Sequence, residues 1–475
     1  MSTWISHANA TVEILLVWYF FALNAGYLIL SLLAFREVHR HLLRSIYGGY
    51  EQISRSPLTP SISVIVPAYN EEVGIALTLN NLLHLDFMRY EVIVINDGST
   101  DGTLESLKNA FHLEPAPDNA RKALPCAPVR AIYRSTRHHN LIVVDKENGG
   151  KADALNAGLN FASHPYFCSI DADVIMEADS LQRVMQSVIE SDRRVIAVGG
   201  IIRVANGCRI EKGRIVEVLM SGNPLVVFQI VEYFRAFLCG RTGFSRFNGL
   251  MIISGAFGVF ERALVIDIGG YRVHTVGEDM DLVTRLHAHM REKGDHAYRI
   301  KFVPDPVCWT EVPTNFRVLA RQRRRWQRGL LEVLEDNARM FLNPRYGMVG
   351  MIGYPFFFLF EAWGVFIEFF GYIFFAVMWW RGSIQGDFAL AFLFVAIVCG
   401  WALSLSGIVL GEMTPKHYPK LRHLLGLVAF GLLENFGYRQ FTTILRILGN
   451  FDHLTGFGGW GRMERRGLLR QQEPT

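Results

Sequence analysis

Apolar and polar positions divide the chain into three regions. From Ile14 to Phe35 no formal charge interrupts an apolar run, and Arg36, Arg40, His41 and Arg44 follow at once. A cleavable signal carries its positive charge ahead of a shorter apolar core. The reverse order here predicts a retained membrane helix whose C-terminal end faces the cytoplasm. Between 60 and 340 the pattern switches to short β-rich runs alternating with amphipathic ones. Ser61–Pro67, Tyr90–Asn96, Leu141–Asp145 and Tyr166–Ile170 read as buried strands. Glu72–His84 and Lys151–Phe161 read as helices between them, and the Pro-containing stretch 113–128 as a loop. From Tyr346 the chain turns apolar again. Tyr346–Trp380 holds only two charges, Glu361 and Glu368, which on one continuous helix would share a face. Phe388–Leu410 is charge-free and long enough to cross ~30 Å of hydrocarbon. Leu424–Leu433 begins a further apolar run that turns polar at Glu434.

Strands alternating with helices predict an α/β domain with a Rossmann-like, mostly parallel sheet covered on both faces. The organisation expected is 1–45, a transmembrane helix and its basic flank; 60–312, the α/β domain; 313–345, a basic interfacial helix; 346–448, C-terminal transmembrane and interfacial helices; and 449–475, a basic tail. Lys416, Lys420 and Arg422 place the Gly411–His423 loop on the cytoplasmic side. Arg446, Arg462, Arg465, Arg466 and Arg470 draw the tail to the same side. Both placements hold only if the last apolar run does not simply cross, or if 346–380 contains an extra crossing.

Composition supports a membrane protein with a large polar portion. Of 475 residues, 50% are hydrophobic and 19% charged, below the roughly 25% charge of soluble domains. This excludes a disordered chain, and a net charge of +4 argues against bulk nucleic-acid binding. The six cysteines are scattered without a CxxC pair, which fits neither a zinc site nor a disulfide scaffold and suggests a reducing compartment.

Polar residues gather where the strands end, the position of ligands in open α/β sheets. Asp171 and Asp173 flank Ala172 directly after an apolar strand. If that segment is extended, both carboxylates project to one side and offer the hard oxygens that suit Mg²⁺ or Mn²⁺. The competing reading is a solvated turn or helix cap. Asp97 ends another strand, where it could meet a ribose or base edge or serve only a turn. Asn148, Gly149, Gly150 and Lys151 open a helix, an arrangement that attracts anions although its spacing is not that of a P-loop. Gly277, Glu278 and Asp279 precede another helix, where Asp279 is either a cap or a base for an attacking hydroxyl. Six of the twelve residues from Arg317 to Arg328 are arginine, and Gln322, Arg325 and Trp326 lie among them. Most of these arginines are expected on anionic lipid. Arg325 and Trp326 also supply a guanidinium for diphosphate and an aromatic plane for a sugar.

In this order the motifs resemble those of membrane-embedded, processive family 2 glycosyltransferases, the group of cellulose, hyaluronan, chitin-oligosaccharide and poly-N-acetylglucosamine synthases. The resemblance covers roughly 60 to 330. It implies a GT-A domain inserted between transmembrane helices of a multi-pass protein of the plasma or inner membrane, with the catalytic domain cytoplasmic. Its partners would be a UDP-sugar donor, a growing polysaccharide and the lipid bilayer, with no nucleic acid. Asp97 would contact uridine, with Pro67, Ala68, Tyr69 and Glu71 beside the base. Asp171 and Asp173 would hold the diphosphate through Mg²⁺ or Mn²⁺, assisted by Lys151. Asp279 would be the general base, with Glu278 beside it, while Gln322, Arg325 and Trp326 would bracket diphosphate and acceptor sugar. The implied activity is processive, inverting synthesis of a β-linked polymer of glucose or N-acetylglucosamine, exported across the membrane. A transferase adding one sugar to a lipid or membrane acceptor shares the acidic motifs but not the 322–326 element. A non-catalytic transporter or scaffold is disfavoured by the intact acidic motifs.

Overall fold

The computed structural model describes residues 2–47, 56 and 59–456; the tail arginines from Arg462 onward lie outside the described residues. Twelve strands follow in chain order: β1 (Ile62–Ala68), β2 (Tyr90–Asp97), β3 (Leu113–Pro115), β4 (Val129–Ser135), β5 (Leu141–Lys146), β6 (Tyr166–Ile170), β7 (Ile175–Met176), β8 (Arg194–Val204), β9 (Arg209–Glu211), β10 (Arg214–Glu217), β11 (Phe257–Glu261) and β12 (Tyr298–Thr310). Ten of them form one sheet in the order β3-β4-β5-β2-β1-β6-β11-β8-β12-β7, and β9 and β10 pair separately.

The run β5-β2-β1-β6 is parallel, as expected, and its central strands are almost wholly buried. The sheet as a whole is mixed rather than mostly parallel. β4 pairs antiparallel with β5, and β11 pairs antiparallel with both β6 and β8. The β4–β5 pairing follows from the link: residues 136–140 are too few for the crossover that parallel neighbours require. The 113–128 stretch is likewise not all loop. Its first three residues form β3, and the remainder is pinned where Leu124 N–H donates to Asn160 Oδ1 (2.9 Å) and Ala127 N–H to Asp153 (3.0 Å).

Among the described residues, two helices are long and apolar enough to cross a membrane, Asn9–Arg44 within the Ser2–Tyr47 helix, and Gly386–Met413. Val349–Ala362 and Gly364–Trp380 would make a third span if taken together, with a 41° bend between them. Trp18, Leu32, Phe370, Trp380 and Leu390 are all more than 60% exposed on these helices. Apolar surface on that scale is what a bilayer covers.

The bend corrects one expectation: Glu361 and Glu368 do not share the face of a continuous helix. A π-wound stretch, Phe357–Ala362, ends the first segment just before the break. Each carboxylate instead meets its own arginine on the Tyr438–Leu454 helix, Glu361 with Arg446 (2.7 Å) and Glu368 with Arg439 (3.0 Å). Carboxylates at membrane depth are held this way by a cation on a packed neighbour.

Candidate active site

β2 ends in Asp97, and Gly98 takes a left-handed φ of +65° beside the Asn148 backbone, where a Cβ would stand 2.6 Å from Asn148 N. That close approach joins the β2 end to the loop opening the Lys151–Phe161 helix. The buried Asp97 carboxylate accepts from Gly149 N–H (3.0 Å), Gly150 N–H (2.8 Å) and Lys146 Nζ (2.5 Å). Lys146, fully buried, also pairs with Asp153 (2.6 Å). Asp97 therefore fixes the glycine pair that precedes Lys151.

The Pro67–Glu71 loop is tied to the loop after Asp97. Asn70 N–H donates to Ser99 Oγ (3.0 Å), Thr100 N–H to Asn70 Oδ1 (2.8 Å) and Glu71 N–H to Thr103 Oγ1 (2.9 Å). Tyr69 is half exposed at this edge.

Asp171 and Asp173 lie in a turn after β6, not in an extended segment, so strand alternation is not what aligns them. The turn nevertheless directs both into one cavity. Lys151 Nζ lies 2.7 Å from Asp171 Oδ1 and 3.3 Å from Glu278 Oε1, and donates to the Gly255 carbonyl (3.0 Å). A Cβ at Gly255 would lie 3.1 Å from Lys151 Nζ, 3.5 Å from Asp279 Oδ2 and 3.7 Å from Glu278 Oε1, so these three groups surround that glycine. Burial works against the Lys151 ammonium, but Asp171 and Glu278 outweigh it and hold Lys151 above its ordinary pKa. Burial raises the Glu278 carboxyl, partly offset by Lys151.

Glu278 and Asp279 begin the Glu278–Glu292 helix, where the helix dipole favours carboxylates. The Phe316–Asp336 helix, capped by Asn315 Oδ1 accepting from Val318 N–H (2.9 Å), delivers Gln322, Arg325 and Trp326 opposite them. Its Glu332 accepts from Thr275 Oγ1 and Val276 N–H, both at 2.9 Å, which locks the two helices together at the site.

A cavity of about 540 Å³ results, walled by Lys151, Asp171, Asp173, Glu278, Asp279, Gln322, Arg325 and Trp326. It continues to Tyr27, Glu361 and Arg446 of the apolar helices. Asp97 and the Pro67–Glu71 loop are outside its wall; Asp97 reaches it through the Gly149–Lys151 turn.

The arginine cluster is not chiefly a lipid-facing surface. Arg323 pairs with Glu232 (2.8 Å) and covers the Trp326 ring at 4.3 Å, Arg324 pairs with Asp452 (2.5 Å) and Arg328 with Glu332 (3.2 Å). Acidic residues of neighbouring turns and helices claim these cations.

The donor chemistry suits a hard divalent cation. Among the described residues no three His, Cys, Asp or Glu side chains are placed to ligate one ion. Asp171 and Asp173, completed by phosphate oxygens and water, form the set expected for Mg²⁺ or Mn²⁺.

Sequence reading passed over Lys146, Gly255 and Arg241. Lys146 carried a signal, a lysine closing the strand after Leu141–Val144 and Asp145, beside another strand that ends in Asp97, its register partner. Gly255 and Arg241 fall in a stretch without a motif.

Residues 63–269 match the model of the Glycosyl transferase family 2. Poly-beta-1,6-N-acetyl-D-glucosamine synthase of Staphylococcus aureus (strain COL) is 31% identical over 274 residues, which is 58% of this chain and 55% of that protein. The Staphylococcus epidermidis protein of the same name is 30% identical over the same shares. The chain thus spans about half the length of the curated relatives it matches. The mannosyltransferase PcManGT from Pyrobaculum calidifontis, solved in complex with GDP-Man and Mn²⁺, has a TM-score of 0.51 at 19% identity, over 93% of this chain and 100% of that one. That likeness shows a common fold.

Proposed function

We propose, from the match of residues 63–269 to the Glycosyl transferase family 2 model, that the chain is a processive, inverting hexosyltransferase. It builds a β-linked polysaccharide from a UDP-sugar and passes the product across the membrane in which its apolar helices are anchored. The relatives favour N-acetylglucosamine over glucose as the unit. The observation that carries the reading is the single cavity joining Asp171, Asp173 and Asp279 to Gln322, Arg325 and Trp326, and running on to Tyr27 and Glu361. That continuation gives a growing chain a path from the reacting groups toward the apolar helices.

Asp279 accepts the proton of the acceptor hydroxyl, whose oxygen forms a bond to the sugar C1 as the bond from C1 to the diphosphate oxygen breaks. Positioned base catalysis of this kind contributes roughly 10²- to 10⁴-fold. One displacement inverts the anomeric carbon, so an α-linked donor gives a β-linked product. Lys151 and Arg325 present fixed positive charge to the departing diphosphate. Asp171 and Asp173 would hold Mg²⁺ or Mn²⁺, which when bound adds to that charge. Trp326 offers its ring to the acceptor sugar. Asp97, with its carboxylate engaged by Lys146 and the glycine pair, keeps Lys151 in place and sits where the nucleoside end of the donor arrives beside Tyr69. The protein is a multi-pass membrane protein with this domain on the cytoplasmic side.

The test is to incubate the purified full chain with labelled UDP-N-acetylglucosamine and UDP-glucose, with Mg²⁺ or with chelator. The product is then sized and digested with linkage-specific hydrolases. High-mass β-linked polymer formed only with the metal is the expected result. A single-sugar adduct would overturn processivity, and no transfer from any donor would overturn the enzymatic reading.

A further inference from the structure

Arg241 is the last residue of a π-wound stretch, Phe234–Arg241, and it lines the same cavity. Its guanidinium carbon lies 4.0 Å from the centre of the Phe237 ring, which holds the planar group in one orientation. The arginines around it are claimed: Arg235 pairs with Glu434, and Arg323 with Glu232. Arg241 forms no ion pair among the described residues, and its Nε is buried without a hydrogen-bond partner. Burial lowers its pKa to about 10, against the attraction of Asp279, so the cation is desolvated and stands near the reacting groups.

A half-buried guanidinium whose Nε is withdrawn from water without a counter-ion is costly to keep, and its rigid fork of donors matches oxyanions. We infer that Arg241 is a phosphoryl-binding residue of this cavity, taking oxygens of a substrate phosphate in the space it shares with Asp171 and Asp173. Two sources share that chemistry. One is the diphosphate of the nucleotide-sugar. The other is a phosphate on a lipid-linked acceptor, for which the cavity that Arg241 lines continues to Tyr27, Glu361 and Arg446 of the apolar helices.

The inference rests on the glycosyltransfer reading and is tested by binding rather than turnover. The full chain in detergent is titrated with UDP and GDP in the presence of Mg²⁺, and separately with farnesyl phosphate against farnesol. Arg241→Met removes the charge while keeping bulk over Phe237, and Arg241→Lys keeps a point charge without the fork. Arg241→Met should weaken at least one phosphorylated probe by about tenfold or more, the loss of a charge-assisted hydrogen bond, with Arg241→Lys recovering part of it and farnesol unchanged. Loss confined to the nucleotides assigns the donor diphosphate, and loss confined to farnesyl phosphate assigns the acceptor. Wild-type affinity of Arg241→Met for every phosphorylated probe overturns the inference and leaves the glycosyltransfer reading intact. A wild-type chain that binds neither nucleotide overturns that reading, and the inference with it. Where Arg241→Met does not fold, Arg241→Lys decides alone: reduced affinity for a phosphorylated probe supports the role, and unchanged affinity for all of them refutes it.

Discussion

Gly277 and Gly329 meet backbone to backbone. A Cβ on Gly277 would stand 2.9 Å from the Gly329 carbonyl oxygen, and one on Gly329 would stand 2.9 Å from Gly277 N. Gly277 lies two residues before Asp279, and Gly329 one helical turn after Trp326. Their contact therefore sets the separation between the proposed base and the residues that face it. Gly329→Ala should push the two helices apart, because the opposing atoms are backbone and do not rotate away. A misplacement on the order of 1 Å costs about 10²-fold in rate. Transfer measured at saturating donor should fall by that order while UDP affinity stays near wild type. An alanine variant with full activity would show that the close approach is not what aligns the site.

Asp279→Asn removes the proton acceptor with almost no change of shape. Asp279 Oδ1 accepts from Met280 N–H (2.8 Å), and Oδ2 is the oxygen turned toward Gly255. Transfer should drop by roughly 10²- to 10⁴-fold, and UDP binding, which draws on other residues, should persist. Parallel loss of UDP binding in calorimetry would remove Asp279 from the base role.

How much of this was legible beforehand differs by region. The central strands were readable because burial on both faces leaves an unbroken β-branched run, as in Val64–Val66 and Val92–Ile95. The antiparallel flanks were not, since β4 and β11 are ordinary short strands whose direction depends on the length of their connections. Asp171, Asp173, Asp279 and Arg325 were singled out by residue type and position, and they do share a cavity. The pairing of Arg323 with Glu232 and of Arg324 with Asp452 was invisible, because each partner lies more than 90 residues away. The 41° break between Glu361 and Glu368 was equally hidden. Gln327 donates to the carbonyls of Glu361 and Ala362 (both 3.3 Å), and Arg446 also reaches the Glu361 carbonyl. Such a break is tolerated only where neighbouring helices satisfy the freed backbone groups.

Lys146 makes a separate claim about stability. It is fully buried between Asp97 (2.5 Å) and Asp153 (2.6 Å), both largely buried themselves. Lys146→Met leaves two carboxylates facing each other without their cation. Breaking a buried pair by removing one partner costs about 3–5 kcal/mol. The variant should melt well below wild type in a thermal scan and lose nucleotide affinity as the Gly149–Lys151 turn loosens. Lys146→Arg, which keeps the charge, should recover part of both. Unaltered melting of Lys146→Met would mean that the triad is not what holds this corner of the sheet.

His287 gives the domain a defined acid sensitivity. The ring is fully buried in the Glu278–Glu292 helix, with Nε2 donating to the Leu250 carbonyl (2.9 Å) and Nδ1 accepting from Tyr298 Oη–H (2.7 Å). Those partners suit the neutral ring, and burial lowers its pKa from 6.5 to about 4, with the Leu250 carbonyl opposing. The unfolded chain therefore binds the proton at a higher pH than the folded one. Stability from this group is complete above pH 6.5 and is lost as pH falls toward 4. A shift of that size corresponds to ~3 kcal/mol over the window. His287→Gln, which keeps a polar side chain but does not titrate, should start lower at neutral pH and show a shallower decline in melting temperature between pH 6.5 and 4. Parallel declines for the two proteins would assign the acid sensitivity to other groups.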